Sequence, residues 1–309
     1  MKFKNSFWLG FFVCFFSSNT FSLTEECGNW QTNHPHWLWC DDFESDSSLE
    51  QNYFDVSREN GRFGVVTDTA YAGTHALRNG YLLGVESAGS LKFSFGATLV
   101  SPKRYTDRNF TDVYWRFYMK TGSNWVGQPL KVSRGIVFTS KNWAQAAIGH
   151  LWEGNLLSIG LDPVSGVSGS TVVTTGWNDF PHMKWLGKAD GSIQIYANEN
   201  REKWYCIELH MKLNTPGSAD GIFEFWINES LQANKSNLNW RGSYTTYGIN
   251  ALTLEGWTNG GAKQTQNRYF DNFVVSTRKI GCYSPQAISP PKSPIDPRLA
   301  TNDSASINP

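Results

Sequence analysis

The chain has 309 residues with 27 basic and 27 acidic side chains, so its formal net charge at neutral pH is zero. This balance argues against the strongly basic surface that is typical of nucleic-acid-binding proteins. Aromatic residues make up 15% of the chain and charged residues only 17%, a composition that suits an exported β-protein with aromatic binding surfaces.

The N-terminal segment predicts a secretory signal peptide over residues 1–22. Lys2 and Lys4 precede an apolar run over residues 7–16, and small residues follow it. The run is too short to cross a bilayer, and no later segment is long and apolar enough to do so. Removing the two lysines would lower the formal charge from zero to −2. We therefore expect an exported protein whose mature chain begins with a lead-in over residues 23–36.

Four cysteines follow this leader, at Cys27, Cys40, Cys206 and Cys282. An even number of cysteines in an exported protein predicts two disulfides, for which three pairings are possible. Closeness in the sequence favours a bond between Cys27 and Cys40. Cys206 lies within a predicted strand, so it could instead remain a free buried thiol.

Three segments alternate apolar and polar residues with a period of two, which is typical of antiparallel strands with one face on a core. They read "DVYWRFYMK" over 112–120, "WYCIELHMKL" over 204–213 and "GIFEFWIN" over 221–228, with the turn-forming "NTPGSADG" between the last two. Helical periodicity is nearly absent. Residues 37–283 are therefore predicted to form one all-β domain, a two-sheet antiparallel jelly roll. Residues 284–309, rich in proline and serine, are predicted to be a disordered tail.

The second of these strands places Glu208, His210 and Lys212 on its polar side. Two interpretations remain open for this row. It could line a groove on an outer face of the sandwich, together with Trp226 of the next strand, or it could be a solvated face on which charged residues alternate for solubility.

Four segments resemble concanavalin A-like jelly-roll proteins related to polysaccharide lyases of the alginate and glucuronan type. They are "HWLWCDDFES", "VYWRFYMKTGSNWVGQPLKVSRG", "WYCIELHMKLNTPGSADGIFEFWIN" and "RYFDNFVVSTRKIGC". In the lyases the second segment reads roughly Arg-x-Tyr and then Gly-Gly-Lys-Leu-Pro-Gly, so Arg116, Tyr118 and Lys131 match. This chain departs from that loop, because Gln128-Pro129 stand near the glycine positions and Val132-Ser133 replace Leu-Pro.

The resemblance implies cleavage of a uronic-acid polymer by β-elimination. In this reaction a base removes the proton alpha to the carboxylate while the glycosidic oxygen leaves, so the site must neutralise the carboxylate and supply a base and an acid. Arg116 suits the carboxylate, with a structural ion pair as the open alternative for this residue, and Tyr118 could protonate the leaving oxygen. His210 or Lys131 could be the base, with Glu208 as an orienting group. We expect these five residues to share one groove, with Lys131 at its edge.

The sequence also bears on two other functions. A retaining glycoside hydrolase needs two carboxylates across the scissile bond, but Glu224 and Glu229 differ in strand parity, which argues against it. A non-catalytic glycan-binding module is the stronger alternative. Its platforms for sugar rings would be among Trp143, Trp152 and, above all, Trp125, Trp226 and Trp257. Either way we expect a monomer that binds an anionic polysaccharide. His150, in the apolar "AAIGHLW", is interpreted as a core histidine.

The resemblance also implies a structural calcium ion that joins the first and last strands. Its ligands would be the carboxylates of Glu44 and Asp271 and backbone carbonyl oxygens of the loop around Gly73. Calcium takes six to eight oxygen ligands, so two carboxylates with carbonyl groups and water would form a suitable site.

Overall fold

The computed structural model describes residues 26–127 and 129–285, and within them two antiparallel sheets of eight strands each pack face to face. The predicted signal peptide, and the predicted tail beyond residue 285, lie outside the described residues. The described part contains no helix that is long and apolar enough to span a membrane.

Sheet I carries the strands recognised from their alternating sequence. In spatial order it contains β16 (Ser230–Leu238), β15 (Gly221–Ile227), β14 (Tyr205–Lys212), β6 (Asp112–Thr121), β18 (Gln266–Ser276), β4 (Ala76–Tyr81) and β3 (Phe63–Val66), and β1 (Trp37–Asp41) pairs with β18.

Sheet II covers the other side of the core. In spatial order it contains β12 (Lys184–Trp185), β9 (Ile159–Ser165), β8 (Gln145–Glu153), β7 (Lys131–Phe138), β17 (Ala251–Trp257), β5 (Ser87–Ser94) and β2 (Asp55–Ser57), and β13 (Ala189–Asp190) pairs with β9. A small hairpin joins β10 (Val167–Ser168) to β11 (Thr171–Val172). The short helices are α1 (Trp30–Asn33), α2 (Leu49–Asn52) and the 3₁₀ turns Asp46–Ser48, Phe180–His182 and Asn198–Asn200.

The core lies between the sheets and is built by the inward half of each alternating strand. Trp115 and Leu209 of sheet I and Leu151 and Leu254 of sheet II are completely buried in it. The indole Nε1 of Trp115 donates a 3.0 Å hydrogen bond to Ser133 Oγ, which links the two sheets across the core. The all-β, two-sheet jelly roll predicted from the alternation is thus confirmed.

Two disulfides attach the segments that flank the sandwich. Cys27 is bonded to Cys40, as predicted from their closeness, and Cys206 is bonded to Cys282. The interpretation of Cys206 as a free thiol is therefore wrong. Its side chain lies on the outer face of sheet I, where the segment after β18 crosses β14 and brings Cys282 within bonding distance.

Candidate functional site

Four of the predicted catalytic residues lie together on the outer face of sheet I. Arg116 and Tyr118 are on β6, Glu208 and His210 are on the adjacent β14, and the strand register places Arg116 directly opposite Glu208. Lys131, by contrast, begins β7 in sheet II. The prediction of one groove shared by all five is therefore wrong, because the outer faces of the two sheets lie on opposite sides of the core.

Arg116 and Tyr118 hold the two ends of the domain. Arg116 is completely buried and makes an ion pair with Glu26, which also accepts a 2.8 Å hydrogen bond from Asn272 Nδ2. The Tyr118 hydroxyl donates to the carbonyl oxygen of Tyr283 at 2.6 Å. Both side chains are thus engaged with terminal segments of the chain rather than facing an open groove.

Glu208 serves the same C-terminal segment. Its two carboxylate oxygens accept hydrogen bonds from the backbone N–H groups of Ile280 (2.6 Å) and Gly281 (3.0 Å). Burial raises the pKa of Glu208, and these two N–H groups oppose that rise. Like Tyr118, this carboxylate anchors the chain after β18.

His210 lies between two carboxylates at the edge of the same face. Its Nε2 is 2.7 Å from Asp112 Oδ1, its Nδ1 is 2.9 Å from Glu224 Oε1, and its ring stacks on Tyr114 with a centroid distance of 4.0 Å. Both ring nitrogens already contact a carboxylate oxygen, so neither is open to take a proton from a substrate. The arrangement favours a structural role.

The outer face of sheet II carries a second set of polar residues, which sequence reasoning missed apart from Lys131. Six side chains stand directly opposite one another across six strands, and we call them the polar row. In order across the sheet they are Asp55, Lys92, Thr253, Arg134, His150 and Asp162. Three of them, Thr253, Arg134 and His150, are completely buried.

A parallel row lies one step further along the strands. Trp257, Lys131 and Trp152 stand opposite one another on β17, β7 and β8, and we call them the Trp–Lys–Trp row. The Lys131 ammonium lies 4.8 Å from the centroid of the Trp257 ring, a distance at which a cation is attracted to the face of an aromatic ring. Two of the tryptophans considered as platforms, Trp152 and Trp257, thus lie beside Lys131.

A β-bulge brings the two rows together. Lys131 and Arg134 are three residues apart, so regular alternation would point them to opposite faces. The pairing of β7 with β8 shifts between Lys131 and Ser133, and the extra residue restores both cations to the outer face. The alternation of "KVSRGIVF" is obscured by this bulge, so the sequence pattern did not reveal Arg134 as a neighbour of Lys131.

The polar row and the Trp–Lys–Trp row together form what we call the groove of sheet II. Its three cations differ in their partners. Arg134 is paired with Glu255, whose Oε2 is 3.1 Å from Nη2, and its Nη1 donates to Asn178 Oδ1 at 2.6 Å. Lys92 forms an ion pair with Asp55. Among the described residues, Lys131 makes no ion pair with a carboxylate. Burial, together with the charge of Arg134, lowers the pKa of Lys131 to about 8.

His150 is buried on this outer face rather than in the core between the sheets, so its interpretation as a core histidine is corrected. Its Nδ1 is 2.7 Å from the backbone carbonyl oxygen of Asp162. Since a carbonyl oxygen only accepts, Nδ1 must carry the proton and Nε2 the lone pair. Burial, followed by the charge of Arg134, lowers the pKa of His150, which keeps the ring neutral. Within the described chain, Nε2 has no hydrogen-bond partner.

An aromatic loop between β11 and β12 covers this part of the groove. Trp177 lies over the Arg134 guanidinium at 4.8 Å, and Phe180 and Trp185 lie 5.9 Å from the His150 ring. Beside this cover, an open cavity of about 440 Å³ is lined by residues that include Lys92, Lys131, Trp177, Glu255 and Trp257. Its size suits a small number of sugar rings.

The other two favoured platforms, Trp125 and Trp226, lie elsewhere. Trp125 is only 1% exposed, with its ring packed against Tyr81 and Tyr196, so no sugar could stack on its face. Trp226 is on sheet I, where the Lys279 ammonium lies 4.2 Å above its ring. Besides Trp257, the groove contains Trp152, which was among the tryptophans considered as platforms, and Trp177, which the sequence did not single out.

Glu44 binds the loop that was predicted to carry the calcium ligands. One carboxylate oxygen accepts the backbone N–H groups of Thr74 (2.9 Å) and His75 (3.0 Å), and the other contacts their side chains at 2.7 and 2.9 Å. Gly73 has φ of +69°, and a Cβ there would stand 2.2 Å from Glu44 Oε1. Only glycine can therefore occupy this position while Glu44 keeps its contacts.

Asp271 binds the same loop from the last strand. Its Oδ2 accepts the backbone N–H groups of Tyr71 (2.6 Å) and Ala72 (3.2 Å). Burial, with a smaller contribution from the charge of Glu44, raises the pKa of Asp271 to about 8. In residues 26–127 and 129–285 no group of three or more His, Cys, Asp or Glu side chains is placed to hold a metal. Calcium here would thus need carbonyl or water ligands, and it would compete with N–H donors.

The sandwich with this groove has the fold of the jelly-roll polysaccharide lyases. Similar solved structures include endo-β-1,4-glucuronan lyase from the fungus Trichoderma reesei, with a TM-score of 0.53, 12% identity, and coverage of 78% of this chain and 96% of that one. An alginate lyase from Chlorella virus has a TM-score of 0.54, 12% identity, and coverage of 78% and 99%. The marine alginate lyase from Aplysia kurodai has a TM-score of 0.51, 13% identity, and the same coverage.

Other comparisons gave no match: no protein-family model matches the chain, and no curated protein is similar to it. At 12–13% identity the likeness shows the fold, and the resemblance to these lyases inferred from the sequence is confirmed at that level.

Proposed function

We propose that the protein is a polysaccharide lyase that cleaves a uronic-acid polymer by β-elimination, and that the reaction takes place in the groove of sheet II. The observation that carries this proposal is the convergence of Lys92 of β5 and Lys131 and Arg134 of β7 onto one groove, with Trp257 and Trp152 on either side of Lys131. Cations suit a polymer of carboxylates, and aromatic faces suit the apolar faces of its pyranose rings.

Lys131 is the proposed base. Its neutral amine takes the proton alpha to the substrate carboxylate, and the electron pair of that C–H bond forms the new double bond as the glycosidic C–O bond breaks. The leaving oxygen takes up a proton, which the newly formed Lys131 ammonium can return. Lys92 and Arg134 supply positive charge that stabilises the carboxylate as negative charge develops on it.

His150 is the proposed hydrogen-bond acceptor beneath the substrate. Its unprotonated Nε2 and the hydroxyl of Thr253, which also has no partner among the described residues, both belong to the polar row. Buried polar atoms in proteins are nearly always hydrogen-bonded, so two without partners, on either side of Arg134 in the same row, suit a site that a ligand or water completes. The covering loop with Trp177 and Phe180 must move for a sugar hydroxyl to reach them.

A second candidate function is glycan binding without catalysis. The observation that favours it is that Arg134 and Lys92 are already paired with Glu255 and Asp55, so they are less available to a substrate carboxylate.

Purified protein is to be incubated with alginate, glucuronan and other uronans while ultraviolet absorbance follows the unsaturated product. Absorbance that rises with wild-type protein and not with Lys131→Ala supports the lyase, whereas binding without absorbance supports the module.

We further propose that the protein is exported after cleavage of residues 1–22 and acts as a monomer on its polymer. The two disulfides fit an oxidising compartment outside the cytosol. N-terminal sequencing of protein recovered from the medium or periplasm tests the cleavage, and light scattering tests the monomer.

We also propose a structural calcium ion. It is supported by the carboxylates of Glu44 and Asp271, which both bind the loop over residues 71–75. A cation would relieve the repulsion between them, and an ion that binds only the folded protein raises the melting temperature. We expect calcium to raise it and a chelator to reverse the effect, whereas Glu44→Gln should remove the response. No calcium response in the wild type would rule this site out.

A further inference from the structure

A second cavity, of about 360 Å³, opens at the end of the sandwich beyond the groove. Tyr81 and Trp125 line its inner part, with their rings perpendicular at a centroid distance of 5.2 Å. Val126 and Leu157, which are 40% and 37% exposed, form apolar walls, and Lys263 also lines the cavity. The cavity thus combines apolar walls with a cationic side chain, within the size range of ligand pockets.

The second cavity adjoins the Trp–Lys–Trp row. Each member of the row has a chain neighbour that lines this cavity: Leu130 beside Lys131, Glu153 beside Trp152, and Thr258 beside Trp257. The groove cavity, for its part, is lined by Lys131 and Trp257 themselves. The row therefore forms the boundary between the two cavities, so a polymer that crosses it would place sugar units on both sides of Lys131.

The Tyr81 hydroxyl gives an independent sign of a ligand. Tyr81 is only 2% exposed, and within the described residues its hydroxyl has no hydrogen-bond partner. A buried hydroxyl without a partner costs free energy that a ligand or a water molecule can recover. Tyr81 lines this cavity, but its hydroxyl is itself buried, so neighbouring side chains must shift before a sugar hydroxyl or ring oxygen can bond to it.

We propose that the second cavity is a subsite for the pyranose units of the uronic-acid polymer that lie beyond Lys131, on the side away from the polar row. This inference rests on the proposed function, since it takes the groove as the place of cleavage. The apolar walls at Val126 and Leu157 contact the C–H face of the ring, Tyr81 bonds to one of its polar atoms, and Lys263 receives a carboxylate. A substrate held on both sides of the base is cleaved within its chain rather than only at its end.

Two variants test this subsite with matched controls. Val126→Trp fills the cavity from a half-exposed position, and Leu231→Trp makes the same change at a residue that is 51% exposed on β16 of sheet I. Tyr81→Phe removes only a hydroxyl that has no partner among the described residues, so this variant should keep the stability of the wild type. Binding is measured by calorimetry, and cleavage by absorbance, with a long uronan oligosaccharide and with a trisaccharide of the same uronan.

We expect Val126→Trp to weaken binding of the long oligosaccharide about tenfold, which is ~1.4 kcal/mol, and to leave the trisaccharide within about twofold. Tyr81→Phe should act in the same direction by a smaller factor. If Val126→Trp behaves like Leu231→Trp with both ligands, the subsite is wrong. If no uronan is cleaved but the long oligosaccharide binds more tightly than the trisaccharide and Val126→Trp removes that difference, the subsite stands and the lyase proposal falls.

Discussion

The base assigned to Lys131 predicts a particular pH dependence of cleavage. Only the neutral amine can accept a proton, so the rate should follow the deprotonated fraction of this one group. Because burial and the charge of Arg134 lower the pKa of Lys131 from 10.5 to about 8, the rate should rise about tenfold per pH unit below that value and level off above it. Acidification should therefore switch cleavage off without unfolding the protein.

The size of the effect follows from the shift itself. At pH 7 a lysine with a pKa of about 8 is roughly 10% neutral, whereas one at 10.5 is roughly 0.03% neutral. The buried position thus raises the concentration of usable base about 300-fold. Removing the base altogether by Lys131→Ala should lower kcat by about 10² to 10⁴, the range that general-base catalysis contributes.

Initial rates of absorbance increase over a series of buffers measure this profile. Lys131→Arg is the matched control, since it keeps the charge but cannot be deprotonated near neutral pH, and it should be nearly inactive. Glu255→Gln provides a second check: the Glu255 carboxylate raises the pKa of Lys131, so its loss should move the rise in rate to lower pH. A wild-type rate that stays flat over the two pH units below about 8, or a Lys131→Arg variant with more than a tenth of wild-type activity, would refute the assignment.

Three further predictions concern binding and stability. Trp257→Ala should raise KM for the polymer about tenfold. Trp226→Ala is the control and should leave KM unchanged, because the Trp226 ring is covered by Lys279 on sheet I. Steady-state kinetics compares the two variants, and equal effects on KM would contradict the placement of the groove. Glu26→Gln should lower the free energy of unfolding by about 3–5 kcal/mol, because it leaves the buried Arg116 without a counter-charge, and it should leave kcat at the wild-type value. Denaturant titration measures the free energy of unfolding, and a loss of kcat in still-folded protein would count against a structural role. Replacing both Cys206 and Cys282 by serine opens a loop with a sequence separation of 76, and chain entropy predicts a loss of about 4.5 kcal/mol; a melting temperature within a few degrees of the wild type would contradict that estimate.

The fold was predictable because it depends on a repeated local signal. Strands such as 112–120 and 204–213 alternate strictly, and this alternation specifies which side of each strand is buried. The face shared by Arg116 and Glu208 was read correctly for the same reason, since parity and the pairing of neighbouring strands determine it. The pairing of Cys206 with Cys282 was not predictable, because it depends on where the chain goes after its last strand.

The position of the candidate site was harder to predict, since it depends on irregularities in the strands. The bulge between Lys131 and Ser133 reverses the parity that the sequence suggests, so Arg134 and Lys131 did not read as neighbours. The strands around His150 are buried on both faces, partly by the aromatic loop that follows β11, and a strand buried on both sides loses its alternation. Neither feature leaves a period-two pattern in the sequence.

A sandwich has two outer faces, and alternation alone cannot tell them apart. Sheet I uses its outward polar side chains to hold the chain termini: Arg116 pairs with Glu26, and Glu208 accepts the backbone N–H groups of Ile280 and Gly281. A catalytic groove would need charged residues of the same types, which is why Arg116 and Glu208 led to the prediction of such a groove on sheet I. Once both ends of the domain are fixed there, substrate access is left to the face that they do not cover. On that face Lys131, which makes no ion pair with a carboxylate among the described residues and lies between two tryptophans, is the group on which the proposed chemistry depends.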